Sequence, residues 1–576
     1  MKTPQDRKPT PRRSTAPEPA AFDRRRNRAR LIGLCVLLLS ATLIAFGPAL
    51  DNQFLNWDDD RNFLTNEAYR GFGIAQWRWA WKTYHLGVWQ PLSWMLIGLQ
   101  YKLGGHDPRG LPDPAVYHRV SLALHAINTI VFFFLTALFL RVAPTKQRRA
   151  SRTVGYACAA AAALLFAVHP LRVEPVAWVS AQPYLPAVLF YMLAVLVYVW
   201  GRRDGASVRA RRAALPLAFV CYCLAVGSKA VAVTLPAILL ILDVYPLRNL
   251  GPPRGWLGKR TWKRWAEKIP FFLIALLISQ WAAEAKEVSQ PGTPPELNLD
   301  AGLAQAAYGL LFYPLKTLAP THLMAYYKLP LDLSLLRWPY GAAAGCVAAL
   351  CVVAFLARRR WPGAIAAWLA YIVILLPNLG LIPISQQIVT DRYAYLAMMP
   401  IMVLFAAGLR WLWSLPRRAT RAWRPALVVA VAAVAGGWTA ATRRQSTVWH
   451  DSVRLWTANL AADPRCAHAE CMLGQALGAQ GRYVEATAHL QRAIRLRPDF
   501  SFAYSNLGTM LLARQECEQA ARRFEQALKY AQQMDAGSLA KTHAGLAIAC
   551  HCLGRDALAW KHIRKAQKLG LPPEQV

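Results

Sequence analysis

Acidic residues are scarce in this chain: 31 Asp and Glu stand against 67 Lys and Arg in 576 residues, for a net charge of +36. Charge of either sign is sparse, at 17%, while 55% of the residues are hydrophobic. That balance argues against a string of soluble domains and fits a polytopic helical membrane protein with a soluble appendage. Familiar catalytic signatures are missing too. There is no Walker-type loop, no G-x-S-x-G, no C-x-x-C and no H-E-x-x-H, which argues against nucleotide use, serine hydrolysis and thiol redox chemistry. The 11 cysteines are odd in number, scattered, and lack zinc spacing; Cys550 and Cys552 form a lone C-x-C, and those in apolar runs read as packing residues. The basic excess is not a nucleic-acid footprint, because most Lys and Arg sit in short clusters between apolar runs, as cytoplasmic loops do.

What the chain has is apolar runs. Residues 1–30 are Pro-rich and basic and read as a disordered cytoplasmic tail. LIGLCVLLLSATLIAFGPAL (31–50) is long enough to span and lacks a convincing cleavage site, so it reads as an uncleaved signal anchor. Further spans are expected near 119–141, 153–168, 183–200, 213–227, 231–247, 268–284, 337–357, 362–378, 392–413 and 425–441. The clusters RRRNRAR, TKQRRASR (145–152), GRRDGASVRARR (201–212), RNLGPPRGWLGKRTWKR (248–264), ARRRW (357–361) and PRRATRAWR (416–424) place their loops inside. AGLAQAAYGLLFYPLKTLAP (301–320) would break the alternation and is read as re-entrant or interfacial. The expectation is eleven spans over 31–441, the N-terminus cytoplasmic and the C-terminus outside.

The outer loop 51–118 is too long for a connector. Its QWRWAWKTYHLGVWQPLSWMLIGLQYKLGG (76–105) is Trp-rich, so interfacial helices lying on the outer leaflet are expected. Near its start, FLNWDDDRNFLTN (54–66) carries Asp58, Asp59 and Asp60 in succession.

After the last span the sequence repeats. Leu473, Gly474, Ala486 and Ala493 have Leu507, Gly508, Ala520 and Ala527 as counterparts, each pair 34 residues apart, with Phe524 answering Leu490 and Pro498 closing the first unit. A shifted third copy holds Leu546, Ala547, Gly554, Ala559 and Ala566. Small residues at helix crossings with this period mark a tetratricopeptide (TPR) solenoid, here about three repeats over 449–573 with a degenerate leading helix in WHDSVRLWTANLAADP (449–464). Its concave face would bind peptide or a partner protein. The fold expected is therefore all-α: a polytopic membrane domain followed by a TPR α-solenoid.

Asp58 and Asp59 are the leading candidates for chemistry. One carboxylate at a membrane surface serves as general base to a hydroxyl; a second orients it or holds a divalent metal. The bland alternative is a solvated loop or a helix cap. HPLRVEPVAWVSAQP (169–183) brings His169, Arg172 and Glu174 to the outer side. Lys229 and Arg392 stand at outer span junctions, where such residues commonly snorkel to headgroups but also suit a lipid-linked phosphate, Arg gripping it at two points. All six of Asp58, Asp59, His169, Glu174, Lys229 and Arg392 converge on one face by topology.

In order along the chain, WDDDRNFLTN (57–66), YHRVSLALHAIN (117–128), HPLRVEPVAWVSAQPYL (169–185), GSKAVAVTLPAILLILD (227–243), TDRYAYL (390–396) and the TPRs resemble the transmembrane-and-TPR O-mannosyltransferase-like (TMTC-like) proteins, of the GT-C class of membrane glycosyltransferases. The resemblance covers nearly all of residues 31–573. It implies a polyprenyl-phosphate sugar as donor, a Ser or Thr of an extracytoplasmic protein as acceptor, catalysis on Asp58 and Asp59, and Arg392, Lys229, His169 and Glu174 near the donor. Departures fall around the implied donor site. No Asn follows His118 at the family's spacing, Ala230 stands where an acid usually follows Ser-Lys, and Ala181-Gln182 replaces Gly-Arg. They leave open an altered donor, or a non-catalytic TPR scaffold that binds partner proteins. The Ala- and Arg-rich composition suggests a bacterial inner membrane, with the TPRs in the periplasm.

Overall fold

The computed structural model describes residues 19–144, 151–251, 253–256, 258–259, 261–289, 298–330, 332–380, 387–415 and 423–572. Among them all regular structure is helical, with two isolated bridges and no strand. Seven helices are long and apolar enough to cross a membrane: Arg25–Asp51, Pro114–Val142, Val179–Arg202, Val208–Ser228, Trp262–Glu287, Tyr340–Ala357 and Trp423–Val448. Two bent pairs raise the number to nine, Arg152–Ala167 with Pro170–Ala177 at 63° and Asp391–Ala397 with Met399–Trp413 at 52°. A proline follows each break, at Pro170 and Pro400, and its missing N–H interrupts the helical ladder. Ala230–Val244 and Pro362–Asn378 are apolar but shorter. Each of the eleven expected spans thus coincides with a helix, and seven to nine have the length to cross.

Three expectations need qualification. Residues 1–18 of the expected tail lie outside the described residues, whereas from Pro19 the chain is already one helix with the first span. Residues 145–150 and 416–422 of the basic loops, and 252, 257 and 260 within 248–264, also lie outside them. The stretch expected to lie re-entrant or flat is a single helix, Leu299–Leu318, which is not among the spanning candidates. Tyr371 Oη donates to its Leu310 O at 2.7 Å, and its Tyr313 Oη to Thr390 O at 3.2 Å.

The outer loop divides in two. Helix Ile74–Lys82 exposes Ile74, Trp77 and Trp81, spaced three and four apart and so on one face, as an interfacial helix would. Helix Pro91–Lys102 does not lie free on a leaflet: Trp94, Ile97 and Gly98 are buried. Gly98 permits the close approach, since a Cβ there would stand 2.7 Å from the Tyr69 carbonyl oxygen.

The soluble end is a stack of antiparallel helix pairs. Ser452–Ala462 leads, capped by Asp451. The inner helices are Ala467–Ala479, Ser501–Ala513 and Ala536–Cys552; the outer helices are Tyr483–Leu496, Cys517–Lys529 and Asp556–Lys568. The period has a packing cause. A Cβ on Gly474 would sit 2.7 Å from Leu490 Cγ, and one on Gly508 2.9 Å from the Phe524 ring, so each glycine makes room for the bulky residue of its partner helix. Cys517 and Cys552 form a disulfide between the second and third units, their Cα atoms 6.2 Å apart, a pairing the cysteine spacing had not revealed.

Candidate active site

The acidic triplet is fastened from both sides. Upstream, Gln53 N donates to His450 O at 2.8 Å. Asn56 N donates to Ser452 Oγ (2.9 Å), its Nδ2 to Met472 O (2.9 Å), and its Oδ1 accepts from Trp456 Nε1 (2.7 Å). The Trp57 ring is then enclosed by Trp178, Tyr326, Trp456 and His468, with centroids 5.2–6.0 Å away. The first TPR helices therefore close on the loop itself, an arrangement in which each side gives up its solvated surface.

The two expected catalytic carboxylates occupy unlike environments. Asp59 is fully buried. Its carboxylate accepts from Leu55 N (3.0 Å), Ser180 N (2.9 Å) and, very closely, Ser180 Oγ. Burial pushes its carboxyl up to about 7 against those hydrogen bonds. Asp59 thus holds the loop on the turn at Val179–Ala181. Asp58 has a left-handed backbone, φ 67°, a conformation Asp tolerates better than most residues. Its carboxylate makes no hydrogen bond or ion pair among the described residues. Burial raises its proton affinity; Arg61 opposes this most, Asp60 adds to it, and Arg392 and Lys229 pull it back. These charges lie within electrostatic reach of Asp58.

Lys229 is an extended residue capping helix Val208–Ser228. It donates to Gln90 Oε1 at 3.0 Å and lies 5.1 Å over the Tyr184 ring. Burial brings its ammonium down to about 7, Arg392 adding and Asp58 opposing. Arg392 is gripped by Glu174: its backbone N donates to Oε2 at 2.6 Å and Nη1 pairs with Oε1. The guanidinium also lies 5.5 Å over Trp178 and 5.3 Å over Tyr393. Asp58, Lys229 and Arg392 are brought together, and Glu174 acts on that group through Arg392. His169 is not in it. Its Nδ1 accepts from Leu171 N (3.1 Å), so Nε2 carries the proton and donates to Thr317 O (3.0 Å), and the ring packs 4.2 Å from Trp438. One nitrogen serves the bend after Ala167 and the other ties it to helix Leu299–Leu318.

A divalent metal finds no cluster of three or more His, Cys, Asp or Glu among the described residues, and all the partners of Asp59 are donors. Sequence reasoning missed Arg61, Gln90, Ser180 and Lys286. Arg61 follows the triplet directly, and Lys286, within electrostatic reach of Arg392, stands at a span end as Lys229 does. Nothing local marks Gln90 or Ser180.

Departures from the family pattern have structural roles here. Asn128 Nδ2 donates to Leu185 O (3.0 Å) and Tyr395 Oη (3.1 Å). Gln182 Nε2 reaches Tyr117 O and Ser121 Oγ, both at 2.9 Å.

No family model matches the chain. Protein O-mannosyl-transferase Tmtc3 of Drosophila melanogaster is 23% identical over 479 residues, 73% of this chain and 49% of its own length. Protein O-mannosyl-transferase TMTC1 of Homo sapiens is 23% identical over 553 residues, 88% of this chain and 58% of its own length. The chain is similar to both over most of its length, and it spans about half the length of those curated relatives. Among solved structures, MamA covers 20% of the chain at 23% identity, 66% of its own chain, with a TM-score of 0.18. ArnT from Cupriavidus metallidurans bound to undecaprenyl phosphate covers 91% of the chain at 14% identity, 78% of its own chain, with a TM-score of 0.34.

Proposed function

We propose that this chain is a GT-C type membrane glycosyltransferase that moves a mannose-like sugar from a polyprenyl-phosphate donor to a Ser or Thr hydroxyl of an extracytoplasmic protein. The observation that carries the reading is Asp58: a half-buried carboxylate with no hydrogen bond or ion pair among the described residues, within electrostatic reach of Lys229 and Arg392. The names of the relatives support it. The acceptor oxygen attacks the anomeric carbon while the bond from that carbon to the phosphate oxygen breaks. Asp58 takes the hydroxyl proton, and the phosphate leaves with the bonding electron pair. Lys229 and Arg392 offset the charge that grows on it. A single displacement inverts the anomeric centre. Asp59 and Glu174 touch no reacting atom; they position Asp58 and Arg392.

In this reading the site and the TPRs lie outside, in the periplasm of a bacterial cell, and the basic loops lie in the cytoplasm. The Cys517–Cys552 disulfide supports that orientation, since such bonds persist in oxidising compartments. The scaffold reading draws on Arg392, whose amide and guanidinium are already engaged by Glu174. The test is transfer from polyprenyl-phosphate mannose to a Ser/Thr peptide by purified protein in nanodiscs. Asp58→Asn is expected to cut the rate by about 10²–10⁴-fold, the usual worth of a general base; an undiminished rate rejects the assignment.

A further inference from the structure

We propose that the inner helices of the TPR solenoid form an acceptor groove for an uncharged, hydroxyl-rich, extended polypeptide segment, delivering it to the acidic loop. This rests on the glycosyl-transfer reading and adds the chemistry of the acceptor.

Charge is segregated between the two layers of the solenoid. The inner helices read AHAECMLGQALGA, SFAYSNLGTMLLA and AGSLAKTHAGLAIACHC, with Glu470 and Lys541 as their acidic and basic residues. Glu470 does not face the groove: it is 1% exposed and taken by His489 (2.6 Å) and Arg492 (3.2 Å) of the neighbouring outer helix. The outer helices carry the charge, among others at Arg495, Arg522, Arg523, Lys565 and Lys568. In a chain of net charge +36, a nearly uncharged layer is a selective feature.

That neutral layer is the one turned to the acidic loop. His468, at the start of the first inner helix, stacks 4.3 Å from Tyr326 and lies 5.2 Å from Trp57. Asp535, which caps the third inner helix, pairs with Arg61 at 3.4 Å, and Lys541, six residues on, acts on Asp60. Two of the three inner helices therefore begin at the loop. Two residues beyond the matched Leu473, Leu507 and Leu546 stand Gln475, Thr509 and Ile548; the first is half-buried and the others are exposed. A charged segment entering this row would lose hydration and find no charge at Gln475, Thr509 or Ile548, whereas Ser, Thr and backbone amides find Gln475 and Thr509. Helices packed ~10 Å apart give a groove that admits about six to eight extended residues at 3.3 Å each.

Full-length protein in nanodiscs is tested with fluorescent Ala/Ser/Thr peptides and with matched peptides bearing interspersed Glu or Lys. Anisotropy reads binding and mannose transfer reads use. The neutral peptide is expected to bind, and Thr509→Glu and Gln475→Glu to weaken its binding and raise its acceptor KM about tenfold, with kcat and donor KM unchanged. Arg522→Glu on the outer layer should change neither. Equal binding of charged and neutral peptides, or an unchanged acceptor KM in both inner-face variants, overturns the groove. If no peptide receives sugar although the neutral one binds selectively, the groove stands and the glycosyl-transfer reading fails.

Discussion

Replacing Glu174 by Gln tests how the donor side is held. Glu174 is 2% exposed and the Arg392 side chain 15%, so the pair is shielded from water. The carboxylate accepts both the backbone amide and the guanidinium of Arg392. Gln keeps the volume and one acceptor oxygen, but removes the bonded counter-charge of the guanidinium beside Lys229 and Lys286, which already repel it. Removing one partner of a buried ion pair costs about 3–5 kcal/mol, and the retained amide oxygen puts Glu174→Gln toward the lower end. The double variant Glu174→Gln/Arg392→Gln should recover part of the loss, because it removes the stranded charge, with a coupling of about 0.5–3 kcal/mol. The assay is unfolding of the four proteins in mixed micelles, alongside donor KM. A single variant as stable as the wild type with an unchanged donor KM would refute the positioning role of Glu174.

Other outcomes follow from particular contacts. Asp59 holds its proton more tightly folded than unfolded, so the folded protein binds more protons between pH ~4 and ~7; its contribution to stability is present at the acid end and falls by about 4 kcal/mol as pH rises through that window. Unfolding followed from pH 4 to 8 should show stability falling more steeply with pH in the wild type than in Asp59→Asn, the difference being this contribution. The same slope in both proteins contradicts the assignment. Cys517→Ser should lower TPR stability by about 2–4 kcal/mol relative to the oxidised wild type, and mass spectrometry of wild type from intact membranes should find the disulfide. A free thiol there would contradict the oxidising location. Arg172 is fully buried between the Phe166 and Tyr395 rings, and none of its guanidinium nitrogens has a partner among the described residues. Arg172→Met keeps an unbranched stem without the charge and should stabilise by about 1–4 kcal/mol; a destabilised variant rejects the idea that the charge is uncompensated.

Much of this architecture was legible locally. The 34-residue period fixed the TPR helices because each glycine and its bulky partner recur at one spacing, and apolar runs located a helix at each expected span. Topology put Asp58, Lys229 and Arg392 on one expected face, and the structure has them within electrostatic reach of one another. Long-range partners were not legible. Ser180 lies 121 residues from Asp59, and Arg392 lies 218 residues from Glu174; only packing brings them together. His169 has the residue type of a functional group but spends both nitrogens on backbone atoms, one at a proline bend and the other in helix Leu299–Leu318. The docking of the TPRs on Trp57 likewise has no periodic signature, because it joins single residues of unrelated elements.

The most direct test of the account is intact mass of extracytoplasmic proteins from cells expressing wild type or Asp58→Asn. Asn adopts the left-handed backbone as readily as Asp, so the variant should insert and accumulate normally. The account predicts hexose-sized additions with the wild type that vanish in the variant. The same additions in both would contradict it and leave the chain a scaffold.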